Sequence, residues 1–87
     1  MRNIDELRKE IDRIDSELVR LFEERMNIAL EIAAYKKQNG LPILDEGREK
    51  AVIEKCVSRL SDHSLDPLLT KWVVYTMGLS KERQNSK

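Results

Sequence analysis

The sequence predicts an all-α fold of three helices, long, short and medium in that order, with two copies intertwined as a helical-bundle homodimer. Apolar residues recur at spacings of three and four, and prolines stand at only two positions, 42 and 67. The third observation is size. A chain of 87 residues buries only about 60% of its unfolded surface by itself, so we expect oligomerisation to complete the core.

The first helix is predicted over residues 4–38. Asn3 followed by Glu6 is the pattern of a capping box, and Gly40 and Pro42 end the helix. At 1.5 Å per residue it is about 50 Å long, which is too long for one compact chain of this size to cover. Its apolar seam repeats as a heptad and consists of Ile4, Leu7, Ile11, Ile14, Leu18, Leu21, Ile28, Ile32 and Tyr35.

Further apolar or small residues lie off that seam in the second half of the first helix. They are Phe22, Met26, Ala29, Leu30, Ala33 and Ala34. A helix that is apolar over much of its circumference is surrounded by several neighbours. We therefore expect a bundle with a core rather than a plain two-stranded coiled coil.

The second helix is predicted over residues 46–61 and the third over 67–84. Asp45 is the expected N-cap of the second helix. Asp66 is the expected N-cap of the third, with Pro67 in its first turn, where a missing amide proton costs nothing. The whole chain, 1–87, is predicted to be a single domain.

Composition excludes several classes of function. Sixteen basic and sixteen acidic residues are mixed along the chain, whereas a nucleic-acid site needs a clustered basic patch. Cys56 is the only cysteine, which leaves no intrachain disulfide and no cysteine-based metal site. Apolar runs are too short for a signal peptide or a membrane span. We expect a cytoplasmic protein with no membrane or nucleic-acid partner.

One seam position of the first helix is a cation. Arg25 stands between Leu21 and Ile28, and a buried guanidinium without a counter-charge costs several kcal/mol. It either reaches solvent, pairs with a nearby glutamate such as Glu24, Glu31 or Glu54, or binds an anion. Lys36 lies about three turns further along nearly the same face. We expect Arg25 to lack a partner in the empty protein, so that Arg25→Leu stabilises the fold and removes activity.

Two more polar groups have helical spacing. Asp45, Arg48 and Glu49 share one face of the second helix, and Ser80 and Gln84 share one face of the third. Capping, ion pairing and solvation can each explain one group alone. Together with Arg25 and Lys36, they suit a pocket for a small polyanion that bears a hydroxyl.

The sequence resembles the all-α, type II chorismate mutases over nearly its whole length. The resemblance rests on LRKEIDRIDSELVRLFEER, Lys36, LPILDEGRE and SKERQ in that order. It implies conversion of chorismate to prephenate by a Claisen rearrangement, in the branch that leads to phenylalanine and tyrosine. No cofactor or metal is implied.

The resemblance also implies a role for each site residue. Arg25 holds a substrate carboxylate, Lys36 reaches a carboxylate and the ether oxygen, and Gln84 donates to the same oxygen. Arg48 adds positive field and Ser80 touches a carboxylate. Asp45 and Glu49 receive the ring hydroxyl.

Arg8 leads to a separate geometric prediction. It precedes Arg25 by seventeen residues, about 25 Å along a helix axis, so one small substrate cannot touch both within one chain. An antiparallel partner that crosses near residues 19–21 would bring its Arg8 between Arg25 and Lys36. We therefore expect a homodimer with two equivalent, shared sites.

Three alternatives stay open. An isochorismate-pyruvate lyase shares the fold and the cations, but the Asp45 and Glu49 pair favours the mutase. A mutase acting on aminodeoxychorismate is a further variant. A dimeric helical interaction module without catalysis would favour an aliphatic residue or asparagine in place of Arg25.

Overall fold

The computed structural model describes residues 2–86 and contains three α-helices. They are α1 (Ile4–Gln38), α2 (Glu46–Ser58) and α3 (Asp66–Asn85), with one 3-10 turn at His63–Leu65. No strand occurs within the described residues. The predicted all-α class and the order of long, short and medium helices are confirmed.

Both ends of α1 follow from local chemistry. The Asn3 side chain accepts a hydrogen bond from the Glu6 amide at 2.9 Å, which satisfies one of the free amides of the first turn. At the other end Gly40 has a φ of 64°, a conformation that glycine adopts without strain. The Leu41 amide then returns to the Lys36 carbonyl at 2.8 Å and closes the helix with a Schellman motif.

The second helix is capped as predicted but ends earlier. Asp45 Oδ1 accepts from the Arg48 amide at 3.0 Å. The predicted end at residue 61 is wrong, because α2 ends at Ser58. The Arg59 amide bonds to the Cys56 carbonyl at 3.1 Å, so the chain tightens into a three-residue spacing that cannot continue an α-helix.

The start of α3 also differs from its prediction. Asp66 is the first helical residue rather than the N-cap, and the Leu65 in the cap position has no capping side chain. Asp62 caps the preceding 3-10 turn instead, and two hydrogen bonds from Ser64 lower the pKa of its carboxyl. Asp66 Oδ1 instead lies 2.9 Å from Nδ1 of His63.

Helix α3 packs against both other helices, and the resulting core is small. The buried residues are Met26, Ala29, Val73, Met77 and Ser80. The radius of gyration is 16.1 Å, whereas a compact domain of this length has about 12 Å. The excess comes from α1, because every residue from 2 to 25 is exposed.

The predicted apolar seam of α1 is only partly covered within residues 2–86. Its nine members are between 37% and 63% exposed. A continuous apolar stripe of this length is typical of an interaction surface. No helix in residues 2–86 is both long enough and apolar enough to cross a membrane.

Candidate active site

A cavity of about 350 Å³ lies between the second half of α1, the loop after it, and the facing sides of α2 and α3. Its polar lining consists of Arg25, Lys36, Asp45, Arg48, Glu49, Ser80 and Gln84. These are seven of the eight residues predicted for the site. Arg8 is not among the lining residues, since it lies on the exposed first half of α1.

The floor of the cavity is apolar and comes from all three helices. It is formed by Ile28, Ala29, Ile32, Ile43, Val52 and Met77. Side chains at spacings of three and four stack along one face of a helix, which explains why the two cations of α1 share this wall. An apolar surface beside the charged groups lowers the local dielectric constant and so strengthens their interactions relative to those in open water.

Lys36 joins α1 to the loop that follows it. Its Nζ donates to the Ile43 carbonyl at 2.8 Å, and both residues line the cavity. An ammonium group has three donors, so two remain for another acceptor. Lys36 is thereby held in place without losing its ability to bind an anion.

Arg25 has a partner, which corrects the expectation of an unpaired guanidinium. Its Nη1 donates to Ser80 Oγ, and the Ser80 hydroxyl donates in turn to the Thr76 carbonyl at 3.1 Å. Arg25 forms no ion pair with any of the three suggested glutamates among the described residues, and Glu24 pairs with Arg20 instead. Arg25 is exposed in the single chain, so the premise that its burial destabilises this chain does not hold.

Ser80 is better suited to orient Arg25 than to bind a ligand directly. It is only 7% exposed, its proton is used by Thr76 and a lone pair is used by Arg25. In this arrangement the hydroxyl has no proton to offer to a carboxylate.

Glu49 is engaged by a residue that sequence reasoning missed. Lys81 Nζ lies 3.0 Å from Glu49 Oε2. The only signal in the sequence was the position of Lys81 directly after Ser80, which becomes informative once the side of α3 that faces α2 is known. Asp45, the N-cap of α2, accepts the Arg48 amide through Oδ1, and its Oδ2 accepts no hydrogen bond from the described residues.

Gln84 lies at the boundary between two cavities. It lines the main one and a second cavity of about 460 Å³, whose lining also includes Leu30, Ala33 and Leu41. Its Oε1 is buried and accepts no hydrogen bond from the described residues. A buried acceptor without a partner costs about 1–3 kcal/mol. This oxygen can only accept, so any hydrogen bond that Gln84 gives to a ligand must come from its amide nitrogen.

The cavity is electropositive. Three cations and two carboxylates line it, an excess of one positive charge that favours an anion. Within residues 2–86, no three His, Cys, Asp or Glu side chains are grouped in a way that could hold a metal ion.

The family model for chorismate mutase type II matches residues 7–85. The chain belongs to this family. A chorismate mutase of Methanocaldococcus jannaschii is 38% identical over 61 residues, which cover 70% of this chain and 62% of that protein. No solved structure matches the chain.

Two further relatives have different names. A bifunctional chorismate mutase/prephenate dehydratase of Aquifex aeolicus is 47% identical over 55 residues, covering 63% of this chain and 15% of that protein. A 4-amino-4-deoxychorismate mutase of Streptomyces venezuelae is 33% identical over 60 residues, covering 69% and 58%. The chain thus spans about three fifths or less of the curated relatives it matches. The relatives are thus named for substrates that differ in the ring substituent.

Proposed function

We propose that this chain is a chorismate mutase that converts chorismate to prephenate on the path to phenylalanine and tyrosine. The observation that carries the proposal is the meeting of Arg25, Lys36, Arg48 and Gln84 with a carboxylate pair in one cavity. Chorismate has two carboxylates, one ring hydroxyl and an enolpyruvyl ether. The cavity offers a group suited to each of these features.

The reaction needs no group that the chain lacks. In a Claisen rearrangement the ether C–O bond breaks while a C–C bond forms, and electrons move in a closed cycle within one molecule. The protein contributes by holding the reactive conformation and by stabilising the charge that develops on the ether oxygen. An acceleration of about a millionfold corresponds to roughly 8 kcal/mol.

Lys36 and Gln84 are the proposed donors to the ether oxygen. Both line the cavity, and Lys36 keeps two donors after its bond to Ile43. The Gln84 amide group donates at every pH, because it does not titrate. Removal of one such donor typically costs 10²–10³ in kcat.

Arg25 is the proposed clamp for a substrate carboxylate. Ser80 occupies only Nη1, so Nη2 and Nε remain for the two-pronged geometry that guanidinium groups form with carboxylates. The proposed role of Ser80 is accordingly to aim Arg25. Arg48 adds positive field from α2.

Asp45 and Glu49 are the proposed acceptors of the ring hydroxyl. Each has one oxygen already engaged, by the Arg48 amide and by Lys81 respectively, and one oxygen free to accept. This pair is what favours chorismate over isochorismate, in which the hydroxyl stands elsewhere on the ring.

The proposed working form is a homodimer with two shared sites. The exposed seam of α1 supplies an interface, and Arg8 of the partner subunit completes each cavity. That cation would raise the positive excess from one to two and so match a dicarboxylate. A cytoplasmic setting belongs to the proposal, since Cys56 is a free thiol and chains without disulfides are typical of reducing compartments.

The test is to incubate purified protein with chorismate in cofactor-free, chelator-treated buffer and to follow chorismate loss and prephenate formation. We expect turnover by the wild-type chain and a loss of at least about a hundredfold for Lys36→Ala. Isochorismate is the control substrate for lyase activity. Failure to accelerate prephenate formation, or pyruvate release from isochorismate as the main activity, would refute the proposal.

A further inference from the structure

The Glu49–Lys81 pair is the one ion pair that joins two α-helices within residues 2–86. Lys81 Nζ lies 3.0 Å from Glu49 Oε2, and the two side chains are 36% and 28% exposed. Partial burial makes such a pair stronger and less sensitive to salt than a surface pair. The pair therefore holds the start of α2 against the end of α3.

Lys81 itself is not part of the cavity lining, whereas Glu49 is. Any influence of Lys81 on a bound ligand must therefore pass through the Glu49 carboxylate. Because Lys81 occupies Oε2, Oε1 is the oxygen left to accept from a ligand. The ammonium also balances the carboxylate charge at this end of the cavity.

We propose that Lys81 is a positioning residue that sets which ring substituent the site accepts. This inference rests on the proposed chorismate mutase function and adds a basis for its selectivity. A charge-balanced Glu49–Lys81 pair suits a neutral hydroxyl, which needs an acceptor but no counter-charge. An amine at the same ring position is cationic when protonated, and it is disfavoured beside a carboxylate already paired with an ammonium.

The competing ligand is the amino analogue of chorismate. In 4-amino-4-deoxychorismate an amine replaces the ring hydroxyl, and the Streptomyces venezuelae relative is named for that compound. Without Lys81, Glu49 would carry an unbalanced negative charge toward the cavity. Removal of Lys81 should thus favour the amine and disfavour the hydroxyl.

The experiment compares kcat/KM on chorismate and on 4-amino-4-deoxychorismate for Lys81→Met, Lys81→Arg and the wild type. Lys71→Met is the matched control, because Lys71 is an exposed residue of α3 and forms no ion pair with the described residues. We expect the ratio of amino to hydroxyl substrate to rise about tenfold in Lys81→Met. Lys81→Arg should keep the wild-type ratio, and Lys71→Met should not change it.

A second comparison separates positioning from a purely structural role. In a Glu49→Gln background no carboxylate remains to be balanced, so Lys81→Met should leave the substrate ratio unchanged there. Urea unfolding of each variant checks that Lys81→Met folds, and Lys81→Gln serves as the replacement if it does not.

The outcomes are distinct. An active wild-type chain whose substrate ratio is the same in Lys81→Met and Lys71→Met would overturn this inference and leave the proposed function standing. An equal loss on both substrates in Lys81→Met would show a merely structural role and would also overturn it. A wild-type chain inactive on both substrates would overturn the proposed function and the inference together.

Discussion

The two halves of α1 share one heptad pattern but differ in what covers them. Up to residue 24 every described residue is exposed, and the ion pairs there, Arg13–Glu10, Arg20–Glu17 and Arg20–Glu24, stay within the helix. The second half contains the buried Met26 and Ala29 and forms one wall of the cavity. The same sequence periodicity therefore supports a packed half and an uncovered half.

This difference suggests that the two halves of α1 have different roles. The ion pairs of the first half are 47–66% exposed and pairs of that kind contribute little stability. An uncovered half-helix with an apolar seam gains stability mainly by packing. We infer that the second half builds most of one site within a chain, while the first half supplies the interface and one cation to another chain.

The largest expected effect follows from a charge placed in the seam. Ile11 is 56% exposed in the single chain, so Ile11→Asp would be harmless if the seam stayed in water. Within a homodimer it buries two unpaired carboxylates, at a cost of about 3–5 kcal/mol each, so we expect a dimer weakened by about 10⁴-fold or more. Sedimentation equilibrium and the chorismate assay measure this.

Lys9→Asp is the matched control for Ile11→Asp, since Lys9 is exposed and lies off the seam. It should keep both the dimer and the activity. If Ile11→Asp and Lys9→Asp have the same dimer affinity and the same activity, the seam is not an interface. The first half of α1 then has no separate role in dimerisation.

A smaller effect, about a hundredfold in kcat/KM, is expected for Arg8→Ala alone. Mixing the Arg8→Ala protein with the Lys36→Ala protein tests whether the two chains share their sites. In shared sites, each mixed dimer contains one intact site and one doubly defective site. An equimolar mixture should therefore regain about a quarter of wild-type activity. Two inactive proteins that form mixed dimers by mass spectrometry and recover no activity would contradict the shared site.

Gln84→Glu tests the cavity formed with the second half of α1, without involving the exposed first half. The wild-type chain should keep nearly constant kcat between pH 6 and 8, because Gln84 is a neutral donor. The substituted carboxyl is ionised above a pKa near 4 in water and can donate only when protonated. Its activity should fall as pH rises, by about tenfold per pH unit above its pKa in the site. A steep loss by the wild-type chain over the same range would contradict the assigned role.

The smallest expected effect concerns α3. A Cβ at Gly78 would meet no atom within 4 Å, so close packing within the chain does not explain this glycine. Gly78→Ala should raise the free energy of unfolding by about 1 kcal/mol in urea titration. Gly40→Ala is the contrasting control, since its φ of 64° is strained for alanine. A loss of stability in Gly78→Ala would indicate that a partner chain packs against this face.

Sequence periodicity and capping chemistry predicted the helices well because both are local. The caps at Asn3 and Asp45 depend on atoms three residues apart. The prediction failed at Asp66, where two short-range interactions compete with the predicted cap: Asp62 caps the 3-10 turn, and His63 contacts the Asp66 carboxylate. These alternative local hydrogen bonds have similar energies, so the sequence alone cannot rank them. The backbone conformation of the loop decides which of them forms.

By itself the sequence determined the all-α class, the long first helix, the uncovered seam and the residue types of an anion site. Only the tertiary structure decided which polar groups meet. Ser80 reaches Arg25 across 55 residues of chain, and Lys81 reaches Glu49 from a different helix. Helical spacing sets which side chains share a face, but the angle and register at which helices pack set the partners, and those depend on long-range contacts.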